Sequence, residues 1–215
     1  MNLLSFDALR ELGALIEDEK RDGADQRLLT FRSARPKLFA AGADMAQMRA
    51  FSGPEAEEFA RAGQELFAAI ERLPMLTVAL IDGDCFGGAL DLALAFDLRF
   101  ATPRSRFAHP GARIGIVTGF GGTSRWRKIL SLPAAHALFL SSEVIGAAEA
   151  LRMNLVERVG EDHEQELTRL EWTDAATVSF VKELTIHAPR LSRSQLLLMA
   201  NRLGHLYFGG SPWNR

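Results

Sequence analysis

Two glycine-bearing turns are the residues best suited to chemistry in this chain. Gly87-Gly88-Ala89-Leu90-Asp91 follows an apolar run, Thr77-Val78-Ala79-Leu80-Ile81, and a turn at Asp82-Gly83, and leads into a helical run, Leu92-Ala93-Leu94-Ala95. Glycine where a buried strand meets a helix lets a ligand touch the main chain, and the free N–H groups of a first helical turn favour negative charge. The Gly88 amide is therefore a candidate oxyanion donor. Phe39-Ala40-Ala41-Gly42-Ala43-Asp44 follows a second apolar run, Arg27-Leu28-Leu29-Thr30-Phe31, and can present the Ala43 amide in the same way. Two such amides on one oxygen make an oxyanion hole; taken singly, each motif reads as no more than a tight strand-to-helix turn.

On these residues the chain resembles the enoyl-CoA hydratase/isomerase (crotonase) superfamily. Phe39-Ala40-Ala41-Gly42-Ala43-Asp44-Met45 is similar to the family's F-x-A-G-A-D-hydrophobic segment, and Ile81-Asp82-Gly83 through Asp97-Leu98-Arg99 to its strand, glycine turn and helix. His109-Pro110-Gly111-Ala112-Arg113-Ile114-Gly115-Ile116 and Gly121-Gly122-Thr123-Ser124-Arg125 follow in the order of the next two blocks, so the resemblance runs from about Leu4 to Val159. It implies a crotonase-like (ClpP/crotonase) spiral of βα turns, with an acyl-CoA thioester carbonyl held between the Ala43 and Gly88 amides. Coenzyme A then arrives as part of the substrate, with no separate cofactor. The same match implies substrate contacts at Ala41, Ala43, Asp44, Met45, Ala46, Gly87, Gly88 and Gly111, and places Arg32, Arg35 and Lys37 near the nucleotide end of CoA.

Negative charge that develops on a thioester oxygen when the α-carbon gains or loses a proton is an enolate, and preoriented amides stabilise it more than the ground state. Hydratases of the family also use two glutamates to position water and pass a proton. Here Asp91 takes the place of the first and Gly111 that of the second, so one carboxylate is shorter and the other is absent. Asp91 is expected as the acid or base, or else as a helix N-terminal residue satisfying free amides. His109, held toward an extended conformation by Pro110, is the substitute proton carrier or else a hydrogen-bonded structural residue. The residues favour isomerisation or single-carboxylate proton transfer over efficient hydration. Thioester hydrolysis or decarboxylation in the same hole, and a noncatalytic CoA-binding or partner subunit, stay open.

These groups need βα elements to position them. Ser5 caps a predicted helix with Phe6, Leu9, Leu12 or Gly13, and Ile16 inward, ending near Asp22-Gly23; Pro54 opens a second, with Phe59, Gly63, Leu66, Phe67 and Ile70 on one stripe, closed by Pro74. Strands at Leu28, Thr77 and Leu98 between helices predict a mostly parallel α/β sheet with ligands at the strand C-terminal ends. Residues 1–160 form the expected core. Residues 161–215 read as a helical segment, with helices over Glu164 to Ala176, Val178 to His187 and Ser192 to Tyr207, the last bearing Leu196, Met199, Leu203 and Leu206 on one face.

Against the family pattern the chain looks shortened at the N-terminus, lacking a β-hairpin before Leu3-Leu4-Ser5, which is expected to expose a sheet edge or face. In the family the C-terminal helices build trimers or dimers of trimers, so a homotrimer or homohexamer is expected, with Trp213 able to dock on a neighbouring subunit.

The 215 residues, 47% hydrophobic, suffice for a single core, and 25 basic against 27 acidic residues give no field to attract nucleic acid or a membrane surface. Cys85 is the one cysteine, which excludes an intrachain disulfide. With no leader-like or membrane-length apolar run, a cytoplasmic protein is expected. The histidines, at 109, 136, 163, 187 and 205, show no metal-ligand spacing, so no metal is expected. The 119–124 loop lacks a phosphate-loop ending, and Ser124 reads as a helix cap ahead of a nucleophile.

Overall fold

The computed structural model describes residues 2–23, 25–171, 174–188 and 191–208. Ser5 accepts a hydrogen bond from the Ala8 amide and opens α1, Phe6–Asp22, which buries Leu9 and Ile16 and closes at Gly23. β1, Leu28–Arg32, and the three-residue β2, Leu38–Ala40, follow, then a single turn of helix, α2, Met45–Met48. α3, Gly53–Glu71, begins in a capping box in which Ser52 Oγ accepts from the Glu55 amide and the Glu55 carboxylate from the Ser52 amide. The whole stripe Phe59, Gly63, Leu66, Phe67 and Ile70 is buried.

The chain then lays down β3, Leu76–Ile81, β4, Asp84–Phe86, α4, Gly88–Ala93, β5, Leu98–Ala101, and β6, Arg106–Ala108. A 3-10 turn at Pro110–Ile114 leads to α5, Gly122–Arg125, another 3-10 turn at Trp126–Lys128, and α6, Leu132–Ser141. β7, Ile145–Gly146, α7, Ala147–Arg152, and β8, Arg158–Val159, complete the sheets. α8, Glu164–Leu170, α9, Ala175–His187, and α10, Arg193–Phe208, form the helical segment.

The strands divide between two four-stranded sheets, ordered β1-β3-β5-β8 and β2-β4-β6-β7, and every described pairing is parallel except β6 with β7. From β1 to β6 successive strands alternate between the sheets, so each turn of the spiral adds one strand to both; β7 then joins the second sheet beside β6 and β8 the first. β1 stands at the edge of the first sheet. The single parallel sheet predicted from the long apolar runs is thus one of two. The second was not legible because its strands β2, β4 and β6 hold three residues each, too few to show a period.

Two helix boundaries also differ. α4 starts at Gly88, earlier than the run at Leu92, because Gly87 at φ +55° turns the chain directly off β4. The helix expected to reach Ala176 ends at Leu170, because Asp174 accepts from the Thr177 amide and so starts a new helix at Ala175. Trp213 lies outside the described residues, as do the side chains of Leu203 and Leu206.

α9 docks on the first sheet through Lys182, whose ammonium donates to the Met75 carbonyl and to Asp97, while Asp97 also accepts from the Thr77 amide and hydroxyl. Below the second sheet's ends an aromatic cluster joins the layers: the Phe120 ring meets Phe59 at 5.0 Å and Phe67 at 5.6 Å, edge to face. Gly63 makes room for it, since a Cβ there would lie 2.2 Å from the ring. We expect Gly63→Ala to destabilise the protein by about 1–3 kcal/mol through overpacking, which outweighs the roughly 1 kcal/mol of helix propensity that alanine adds. A lowered urea midpoint checks this.

Candidate functional site

Three segments meet at the C-terminal ends of neighbouring parallel strands: Ala41-Gly42-Ala43 after β2, Gly87-Gly88 after β4, and His109-Pro110-Gly111 after β6. Asn2 and Leu4 lie alongside the first turn. The Ala41 amide donates to the Asn2 carbonyl at 2.9 Å, Leu4 N–H to the Gly42 carbonyl at 2.9 Å, and Asp44 N–H to the Leu4 carbonyl at 3.1 Å. This pattern ties down the Ala41 and Asp44 amides and leaves the Ala43 N–H out. The second turn is joined to the third by the Gly87 amide, which donates to the Ala108 carbonyl at 2.9 Å.

The two turns are packed against each other. A Cβ on Gly88 would lie 3.3 Å from the Ala43 nitrogen, and one on Gly42 would lie 2.7 Å from the Phe86 carbonyl oxygen and 3.2 Å from the Gly88 nitrogen. Gly42 adopts φ +89°, so both its conformation and its surroundings require glycine. Among the described residues neither the Ala43 nor the Gly88 N–H donates a hydrogen bond. The two candidate donors therefore stand side by side and free.

A cavity of about 340 Å³ opens over them. Of the residues singled out from sequence, Ala41, Ala43, Met45, Gly87, Gly88, His109 and Gly111 are on its wall. Asp44 and Ala46, expected as substrate contacts, are not: the Asp44 carboxylate caps α2 by accepting from the Ala46 and Gln47 amides, and Ala46 is exposed. Arg32, Arg35 and Lys37 also lie off the wall. The remaining lining is chiefly apolar, with Met48, Ala56, Phe59, Ile114, Ile116 and Phe120 among it.

Asp91 is wholly buried and does not reach the cavity. Its Oδ1 stands 3.3 Å from His109 Nε2, within ion-pair distance but without the alignment of a hydrogen bond, and its Oδ2 accepts from the Thr118 hydroxyl. Gly122 leaves space for this carboxylate, since a Cβ there would lie 1.7 Å from Oδ1. His109 is 5% exposed and stacks on Phe139 at 4.7 Å. Its other nitrogen, Nδ1, lies 3.4 Å from where a Gly111 side chain would begin. The imidazole thus has a carboxylate on one side and Gly111 on the other.

Gly111 itself is enclosed. Its carbonyl accepts from the Ile116 amide at 2.9 Å, and a Cβ would lie 2.6 Å from the Ile116 carbonyl oxygen. Burial, with the charges of Asp91 and Asp84, pushes the Cys85 thiol well above its usual range and keeps it neutral. Ser124 does not cap α5 as expected; Gly121 occupies the N-cap, and the Ser124 hydroxyl donates to the Gly121 carbonyl at 2.8 Å. Thr118, Phe120 and Phe139 were not foreseen, because loop residues and lone aromatics carry no local pattern. Among the described residues no three His, Cys, Asp or Glu side chains gather as a metal-binding group, and no helix is long and apolar enough to cross a membrane.

The family model described as enoyl-CoA hydratase/isomerase matches residues 1–185. The chain belongs to this family. It is 36% identical over 164 residues to the crotonyl-CoA hydratase of Syntrophomonas wolfei, a match covering 76% of this chain and 63% of that protein. The chain spans about three-fifths of the length of the curated relatives it matches. Among solved structures, Pseudomonas aeruginosa DspI superposes with a TM-score of 0.85 at 28% identity, covering 93% of this chain and 78% of that one. An enoyl-CoA hydratase from Geobacillus kaustophilus gives 0.87 at 27% identity, covering 95% and 80%. The fold is the crotonase fold, and the two-sheet spiral is how this member of the enoyl-CoA hydratase/isomerase family builds it.

Proposed function

We propose that this chain is an acyl-CoA thioester enzyme that holds the thioester oxygen on the Ala43 and Gly88 amides and moves a proton with His109, a one-base transfer of the isomerase type. The observation that carries the reading is the pair of free amides beside a cavity on whose wall His109 is the one titratable side chain among the described residues. Two backbone donors aimed at an enolate oxygen act mainly in the transition state, each worth on the order of 2.7–4 kcal/mol. A single imidazole can take a proton from one carbon of the acyl chain and return it to another, with the electron pair resting on the thioester oxygen between the steps. Asp91, behind the ring, orients it and compensates its charge when protonated.

Hydration needs a second group to activate water, and Gly111 carries none. The named hydratases among the relatives support the substrate class, and the departure at Gly111 supports proton transfer within it. Self-assembly as a homotrimer or homohexamer is part of the same reading, favoured by the exposed Val181, Ile186, Leu197 and Leu198 of α9 and α10.

Product analysis with a 3-enoyl-CoA, crotonyl-CoA and malonyl-CoA tests the reading. Double-bond migration in the first, faster than hydration of the second, is expected. Release of free CoA or of carbon dioxide favours the hydrolase or decarboxylase reading instead, and binding without turnover of any of the three favours a noncatalytic subunit.

A further inference from the structure

We infer that Thr118 is a positioning residue for proton transfer, its hydroxyl holding Asp91 so that the carboxylate faces the His109 imidazole; this role rests on the reading of His109 as the proton carrier. Thr118 lies in the connection between the 3-10 turn at Pro110–Ile114 and α5, and it both borders the cavity and donates to Asp91 Oδ2. Its loop neighbours Ile116, Val117 and Gly119 bring no side-chain donor. Asp91 is 0% exposed, so water does not share in its solvation, and its other carboxylate oxygen is the one 3.3 Å from His109 Nε2.

A buried carboxylate needs donors to stay charged, and the rotamer that gives Oδ2 to Thr118 is the one that gives Oδ1 to the ring. The space at Gly122 accommodates that same placement, with Oδ1 lying 1.7 Å from the position a Cβ would take. Without the hydroxyl, Asp91 keeps the imidazole as its one described side-chain neighbour within ion-pair distance, and its orientation is less well defined. The hydroxyl also accepts weakly from the Phe120 amide at 3.4 Å, which joins it to the residue packed beneath Gly88. Thr118 thereby connects the loop bordering the cavity to the buried half of the proton-transfer pair.

Thr118→Val keeps the shape and removes the donor. Binding of butyryl-CoA by calorimetry and exchange of its α-protons with deuterated water by NMR separate binding from proton transfer. For Thr118→Val we expect an unchanged affinity, a lowered urea midpoint with the protein still folded at the assay temperature, and an exchange rate lowered about ten- to hundredfold, the worth of one hydrogen bond to a charged group. Thr118→Ser is expected to recover the rate. The role is overturned if wild-type protein binds and exchanges while Thr118→Val exchanges equally fast, loses affinity alone, or is not rescued by serine. Wild-type protein that does not bind butyryl-CoA overturns the thioester reading and this role with it.

Discussion

If the Gly88 amide holds the thioester oxygen as proposed, Gly88→Val is expected to lower kcat by about a hundred- to a thousandfold while leaving the fold in place. That range corresponds to loss of one oxyanion donor in other enzymes, and here the donor is a main-chain group that substitution removes only by displacing it or blocking access to it. A Cβ at Gly88 lies 3.0 Å from the Phe120 ring and 3.3 Å from the Ala43 nitrogen, closer than ordinary van der Waals contact, so a branched side chain crowds both the ring and the neighbouring amide. The backbone is not at fault: Gly88 has no positive φ, unlike Gly42 and Gly87, so the effect is steric. Gly88→Ala, with one carbon in the same place, is expected to lose less activity than valine. Steady-state rates paired with urea unfolding distinguish a blocked site from an unfolded one. A valine variant that turns over at the wild-type rate removes the oxyanion assignment altogether.

His109→Gln is expected to cost about 10²–10⁴-fold in the rate of proton transfer, the usual contribution of a positioned acid or base, with much less change in affinity. Glutamine preserves the size and polarity of the side chain on the cavity wall and removes its titration. Asp91→Asn should cost less, because Asp91 lies off the cavity wall and is 3.3 Å from the imidazole. Restoring a family-like carboxylate by Gly111→Glu is not expected to rescue His109→Gln. The Cβ of that glutamate would lie 2.6 Å from the Ile116 carbonyl oxygen, in a turn already closed by the Ile116 amide on the Gly111 carbonyl. Deuterium exchange at the α-carbon measures all three variants on one scale. Wild-type exchange by His109→Gln shifts the proton-carrying role away from the imidazole.

Much of this was visible in the chain before folding. Ser5 and Gly23 bracket α1 because capping and termination act within one helical turn, and the α3 stripe from Phe59 to Ile70 follows from a 3.6-residue period that needs no partner to be recognised. The apolar runs at β1 and β3 are long enough to identify themselves, and the two glycine turns mark where the chain must bend sharply after a strand. Tertiary structure alone decided the rest. β2, β4 and β6 exist because each pairs with a neighbour far away in sequence, and it is their aligned ends that bring Ala43, Gly88 and His109 to one cavity. The same long-range packing placed Asp91 beside the imidazole and supplied Thr118 as its partner. Local patterns record what a residue does to its own few neighbours, whereas the direction and burial of a side chain depend on contacts that form only when distant segments meet.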